Sequence, residues 1–112
     1  MKNNIIYKRI LRELMNLGYN IKHIGTTYLA MSIYEIYNSD NEDVYVNIEK
    51  NIYSQISQKT NTKINTIKTD IIKATNSMYL YGNIEQINNY FHLDNCVKPT
   101  PKLVMITILN KL

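Results

Sequence analysis

At 112 residues with 45 % hydrophobic side chains, the chain suits one domain with a modest core and is too apolar for disorder. Three glycines and two prolines are too few for an all-β chain rich in tight turns, and a single cysteine, Cys96, excludes an intramolecular disulfide and fits a reducing, cytoplasmic location. A net charge of +4 does not by itself mark a nucleic-acid binder, no run of about 18 apolar residues spans a membrane, and Lys8, Arg9, Arg12 and Glu13 interrupt any apolar stretch of a signal peptide.

The patterning predicts an all-α, compact six-helix domain over residues 1–112, without internal repeat or linker. The first helix spans about Asn4–Leu17: Ile6, Ile10, Leu14 and Leu17 share one side, Tyr7 and Leu11 flank it, and Lys8, Arg9 and Arg12 take the other. Gly18 ends it as a C-cap. Such a basic amphipathic helix can lie on a membrane or a partner, but in a globular pattern it reads as a core helix with a solvated face. The second helix covers about Gly25–Tyr37, with Tyr28, Leu29, Ile33, Ile36 and Tyr37 inward. After an acidic loop holding Asp40, Glu42 and Asp43, a third helix runs from about Val44 into the fifties. Beyond Gly82-Asn83, the residues Ile84, Ile87, Tyr90 and Phe91 mark a short fifth helix. Pro99 and Pro101 break the following loop, and Pro101 suits the first turn of a last helix, Pro101–Leu112.

The stretch from Tyr53 to Asn83 carries the functional signal. It reads as a short helix closed by Tyr53, Ile56 and the stem of Lys59, a Thr60-Asn61-Thr62 turn, and a longer helix of about residues 63–79, the order of a helix-turn-helix reader over about 53–79. Thr62 is placed to cap the second helix. Ile64, Ile67, Ile71, Ala74 and Met78 recur at three and four residues and form its buried face. The opposite face carries Thr62, Asn65, Thr66, Thr69, Lys73 and Asn76, with Lys63 and Lys68 beside it. From Lys50 to Lys73 there are five lysines against one carboxylate, Asp70, so charge is segregated toward the reader. The DNA-contacting residues expected are therefore Lys59, Asn61, Thr62, Lys63, Asn65, Thr66, Lys68, Thr69 and Lys73. Tyr81, beyond the apolar stripe, is a weaker candidate for a phosphate contact.

Nothing recommends catalysis. His23, His92 and Cys96 lack zinc-site spacing, Gly18, Gly25 and Gly82 read as isolated helix terminators rather than a phosphate loop, and the carboxylates of residues 40–43 lack the spacing of a calcium loop. No cofactor, metal or small-molecule ligand is expected. The last helix is apolar almost all round, with only Thr107, Asn110 and Lys111 as a polar strip, which suggests burial on more than one side. A second copy is the expected cover, with Met105, Ile108, Leu109 and Leu112 at the interface; coverage by the first helix is the alternative.

The chain resembles the C-terminal effector domain of the sporulation master response regulator (stage zero sporulation protein A) family. That family carries a pattern close to Y-P-x-I-A-x-K-F-N-T-T-x-x-x-V-x-x-x-I-x-x-A-I-x-x-x-W-x-R-G-N. Tyr53, Ile56, Lys59, Asn61, Thr62, Ile67, Ile71, Ala74, Gly82 and Asn83 fall on it without a gap, with Tyr79 at the tryptophan. Upstream, Leu17, Gly18, Gly25, Tyr28 and Leu29 match; downstream, Lys98, Pro99, Thr100, Lys111 and Leu112 do. The resemblance implies an all-α fold of six helices, duplex-DNA binding through the second helix of the helix-turn-helix, transcription regulation in a Gram-positive, spore-forming type of bacterium, and pairing of two domains on DNA. Two departures qualify it. Where the family presents arginines and a glutamate to DNA, this chain has Thr66, Lys68 and Thr69, and Ile72 replaces a further basic residue; threonine cannot read guanine bidentately. The family's N-terminal receiver domain is also not in this chain, so control by its phosphorylated aspartate is not expected of the chain alone. The alternative function is a protein-interaction module of the same fold that has lost specific DNA reading and pairs with a related regulator or RNA polymerase.

Overall fold

The computed structural model describes residues 4–39, 46–92 and 98–112. The acidic loop residues 40–43, Val44, and the loop residues 94–97 with Cys96 lie outside them. Among the described residues there are six α-helices, one π-helical turn and no strand: α1 (Asn4–Leu17), α2 (Ile24–Tyr37), the π turn Glu49–Tyr53 running directly into α3 (Ser54–Thr60), α4 (Ile64–Tyr81), α5 (Ile84–Phe91) and α6 (Pro101–Leu109). The all-α expectation holds. The expected start of the third helix at Val44 lies outside the described residues; among the described residues Val46 lies in a turn and the Asn47 side chain accepts the Lys50 backbone N–H at 3.1 Å at the start of the helical segment.

Helix α2 is the hub. It packs against α4, α1, α6, α3 and the π turn, and Gly25, Thr26, Tyr28, Leu29, Ala30, Ser32, Ile33 and Ile36 are buried. Its polar core groups are satisfied locally: the Thr26 hydroxyl donates to the Asn20 carbonyl and the Ser32 hydroxyl to the Tyr28 carbonyl, both at 2.8 Å. Tyr37, expected inward, is exposed at the helix end. Gly25 is not a terminator. It lies in the first turn of α2, where a Cβ would stand 2.0 Å from the Asp70 carbonyl oxygen, so the absent side chain is what lets α2 touch the α4 backbone.

Around this hub the predicted faces close. Ile10, Leu14 and Leu17 of α1 are buried, and Ile6, Tyr7 and Leu11 pack at the edge of the core. Gly18 adopts φ +109° and ends α1 with paired bonds, Gly18 N–H to the Met15 carbonyl and Tyr19 N–H to the Leu14 carbonyl, both 3.0 Å. This is a Schellman ending, which only glycine enters without strain. Asn83 caps α5 by accepting from the Gln86 backbone N–H at 3.1 Å, and Thr100 caps α6 by accepting from Leu103 N–H at 3.2 Å, each cap contributing about 1 kcal/mol.

Candidate nucleic-acid interface

The candidate reader comprises α3, the turn at residues 61–63 and α4. Ile56 of α3 and Ile67, Ile71, Ala74, Thr75 and Met78 of α4 are buried, so both helices are held by their apolar stripes. Asn61 ends α3 in the left-handed region at φ 54°, a conformation asparagine tolerates better than most residues. Thr62 does not cap α4. The N-cap position is Lys63, extended and without a side-chain cap. The Thr62 hydroxyl turns inward instead, bonding to the Thr60 carbonyl at 3.2 Å and facing the Tyr28 hydroxyl at 3.4 Å, while the Ser57 hydroxyl donates to the Thr62 carbonyl. Thr62 therefore pins the turn to α2 and is half-buried.

Two further ties fix α4, and a third holds α3. The α2 backbone meets it at Asp70 through Gly25. The Tyr19 hydroxyl, buried in the α1–α2 connection, shares a 2.8 Å hydrogen bond with Thr75. Burial pushes the Tyr19 phenol well above its usual range. Lys59 of α3 pairs with Glu35 of α2.

Held this way, α4 turns Asn65, Thr66, Lys68, Thr69 and Lys73 outward, all exposed. Asp70 is half-buried where its backbone meets α2, and it lines an open cleft together with Lys73. Lys63 is exposed at the entrance of α4. The structure thus gathers eight of the nine expected contact residues on the surface of one unit, with Thr62 drawn inward. Their charges are not equally available. Lys59 is tied to Glu35, and the Lys68 ammonium lies 3.0 Å from the Glu49 carboxylate of the π turn. Among the described residues no carboxylate pairs with Lys63 or Lys73. Lys73 shares a cleft with Lys22 and His23 at the start of α2. Lys98 also arrives on this side, its ammonium donating to Asn76 at 2.8 Å.

Sequence reasoning missed Glu35, Glu49, Lys22 and Lys98. They come from distant segments, and no local spacing announces them. The Glu49 carboxylate also raises the Tyr53 phenol, which burial chiefly pushes up to about 12.

In α6, Met105 and Ile108 are fully buried by the domain itself, where the helix packs against α2, α1 and α4. The expectation that they need a second copy is corrected: their cover is intramolecular. Leu109 and Leu112 remain half-buried. Arg9 of α1 donates to the Lys111 and Leu112 carbonyls at 3.0 and 3.5 Å, and Lys111 stands 4.5 Å over the Tyr90 ring. Among the described residues there is no group of three His, Cys, Asp or Glu side chains able to hold a metal, and no helix is long and apolar enough to cross a membrane.

The all-α fold, with α3, the turn and α4 in a helix-turn-helix order, is consistent with a DNA-binding domain. Residues 10–112 match the family described as sporulation initiation factor Spo0A C terminal, and the chain belongs to that family. It is a family of DNA-binding transcription-factor domains and not of enzymes. A comparison with curated proteins finds no match.

Proposed function

We propose that this domain binds duplex DNA inside the cell as a sporulation-type transcription regulator, laying α4 in the major groove with Asn65, Thr66 and Thr69 toward the base edges. The carrying observation is the outward face of α4, where the hydroxyl, amide and ammonium groups of Asn65, Thr66, Lys68, Thr69 and Lys73 stand exposed. Lys63 and Lys73 supply phosphate contacts, which position the domain without reading sequence. Asn61 lies at the turn, where it meets the sugar-phosphate edge. Pairing of two copies on DNA through the half-buried Leu109 and Leu112 belongs to the same reading. The test is selection of bound duplexes from a random pool, followed by mobility shifts at two salt concentrations. An enriched A·T-rich motif whose affinity falls with salt supports the reading, and absence of binding at low salt refutes it.

One observation favours a second reading, an interaction module facing a related regulator or RNA polymerase. Leu80 and Tyr81, at the end of α4, are 71 % and 86 % exposed. A fold-preserving Leu80→Ser/Tyr81→Ser variant that binds DNA normally but loses transcriptional output would assign that end of α4 to a protein partner.

A further inference from the structure

The lysines of the reader are not equivalent. Lys68 leans to one flank of the α4 outer face, where the π turn passes. There the Glu49 carboxylate meets its ammonium at 3.0 Å, with both side chains about half exposed. Glu49 is in the first turn of its helical segment, where its charge is favoured by the helix dipole. The Asn47 side chain fixes the start of that turn. Glu49 and Asn65 line one shallow cleft together with Asn47, Lys50 and Ile64. The carboxylate therefore stands at the edge of the face assigned to DNA, beside a candidate base reader.

We propose that Glu49 restrains Lys68 and withholds one cation from the phosphate backbone, tempering affinity for every duplex without changing the preference among them. This inference rests on the DNA-binding reading above. A phosphate approaching Lys68 must displace Glu49 or accept its negative charge as a neighbour. Either way the ammonium releases less than a full counterion's worth of affinity. Because phosphate contacts carry no sequence information, holding back one of them lowers binding to every duplex alike. The preference among duplexes stays with Asn65, Thr66 and Thr69 and is unchanged. The pair also spans the π turn and α4, so Lys68 is held in one direction instead of sweeping the groove wall.

The experiment is a two-by-two set: wild type, Glu49→Gln, Lys68→Ala and the double variant, each titrated with a selected duplex and with an unrelated one across a salt series. Glu49→Gln keeps the shape and removes the charge. It is expected to tighten binding to both duplexes and to steepen log affinity against log salt by roughly 0.9, one added phosphate contact. Between about 50 and 200 mM salt that extra slope is about a 3.5-fold additional loss of affinity. The gain should disappear in the double variant, and Lys68→Ala alone should change the slope little. Far-UV circular dichroism melts confirm that each variant is folded, and Glu49→Ala serves as a second charge-removing variant. An unmoved slope in both Glu49 variants, or a gain that survives Lys68→Ala, overturns the role given to Glu49 while leaving DNA binding in place. Failure of the wild-type chain to bind any duplex overturns the DNA reading, and this inference with it.

Discussion

Gly25 touches Asp70 where no side chain could stand: a Cβ on Gly25 would lie 2.0 Å from the Asp70 carbonyl oxygen and 3.0 Å from the Ala74 Cβ. The obstacle is helix backbone, which cannot rotate aside. The contact therefore sets the distance between the hub helix α2 and α4, the proposed reader helix. Gly25→Ala is expected to force the two helices apart and to destabilise the domain by about 3 kcal/mol, the upper part of the range for overpacking. Urea unfolding followed by circular dichroism measures this. An unchanged midpoint would mean that the helices separate without loss.

Lys63 and Lys73, which have no ion-pair partner among the described residues, should carry most of the salt dependence of this face. Lys73→Ala is expected to weaken binding to all duplexes and to reduce the salt slope by roughly 0.9. Lys59→Ala should do much less, because that ammonium is already tied to Glu35. Fluorescence anisotropy over a salt series separates the two. Equal slopes for wild type and Lys73→Ala would take this part of α4 away from the phosphates.

The helices of this domain were legible because each buries one stripe. Ile10, Leu14 and Leu17 in α1, and Ile67, Ile71, Ala74 and Met78 in α4, repeat at helical spacing, and all are buried. The Gly18 ending was equally plain, since its chemistry is local. What stayed hidden depends on pairs far apart in the chain. Glu49 and Lys68 are separated by 19 residues (68 − 49) and Tyr19 and Thr75 by 56, and periodicity carries no information about which exposed charge meets which. Two misreadings share a cause. Gly25 resembled a terminator because a glycine near a helix start looks the same whether it ends a helix or admits a neighbouring backbone. The α6 circumference suggested a second copy because sequence gives the width of an apolar face but not the number of elements around it, and α2, α1 and α4 all reach it.

Sequence preference should reside in the short side chains of the outer face. Asn65 can pair bidentately with adenine, and the methyl groups of Thr66 and Thr69 can meet the thymine methyl. The selected site is therefore expected to be rich in A·T. Thr69→Arg should shift one position toward guanine by about 1–3 kcal/mol of discrimination. Repeating the duplex selection with Thr66→Ala, Thr69→Ala and Thr69→Arg tests this. A motif identical across the three variants would deny both threonines a reading role.

Three tyrosines make the fold sensitive to alkali. Burial raises the phenols of Tyr19 and Tyr53, the latter to about 12; burial and the 2.7 Å hydrogen bond donated to Glu13 raise Tyr90. In the unfolded chain each ionises near pH 10, about its ordinary value. The folded state holds these protons more tightly, so their contribution to stability is complete below about pH 10 and is lost as pH rises through the folded values. Denaturation midpoints are expected to be flat from about pH 8 to 9.5 and to fall steadily above pH 10. Tyr53→Phe should flatten the fall in the window up to 12. A midpoint independent of pH across that window would mean that the phenols ionise freely in the fold.

The remaining question at α6 is whether two copies meet there. Met105 and Ile108 cannot serve, because each is fully buried inside one copy, and a glutamate at either position would unfold the domain before it tested pairing. Leu109 and Leu112 differ: they lie at the core's edge and keep part of their surface. Arg9 holds the backbone beyond α6 through the Lys111 and Leu112 carbonyls, so the end of the chain is positioned and does not need a partner to order it. A pairing surface built on these two leucines is small, and small interfaces are weak. Pairing is therefore expected on DNA, where two half-sites about one helical turn apart hold the copies together, and not in dilute free protein. Analytical ultracentrifugation with and without a two-site duplex reads this directly. Wild type should bind such a duplex as two copies with cooperativity. Leu109→Glu and Leu112→Glu should keep the fold and single-site binding but lose the cooperativity. Independent filling of the two half-sites by the wild-type chain at every spacing would rule out this face as a pairing surface.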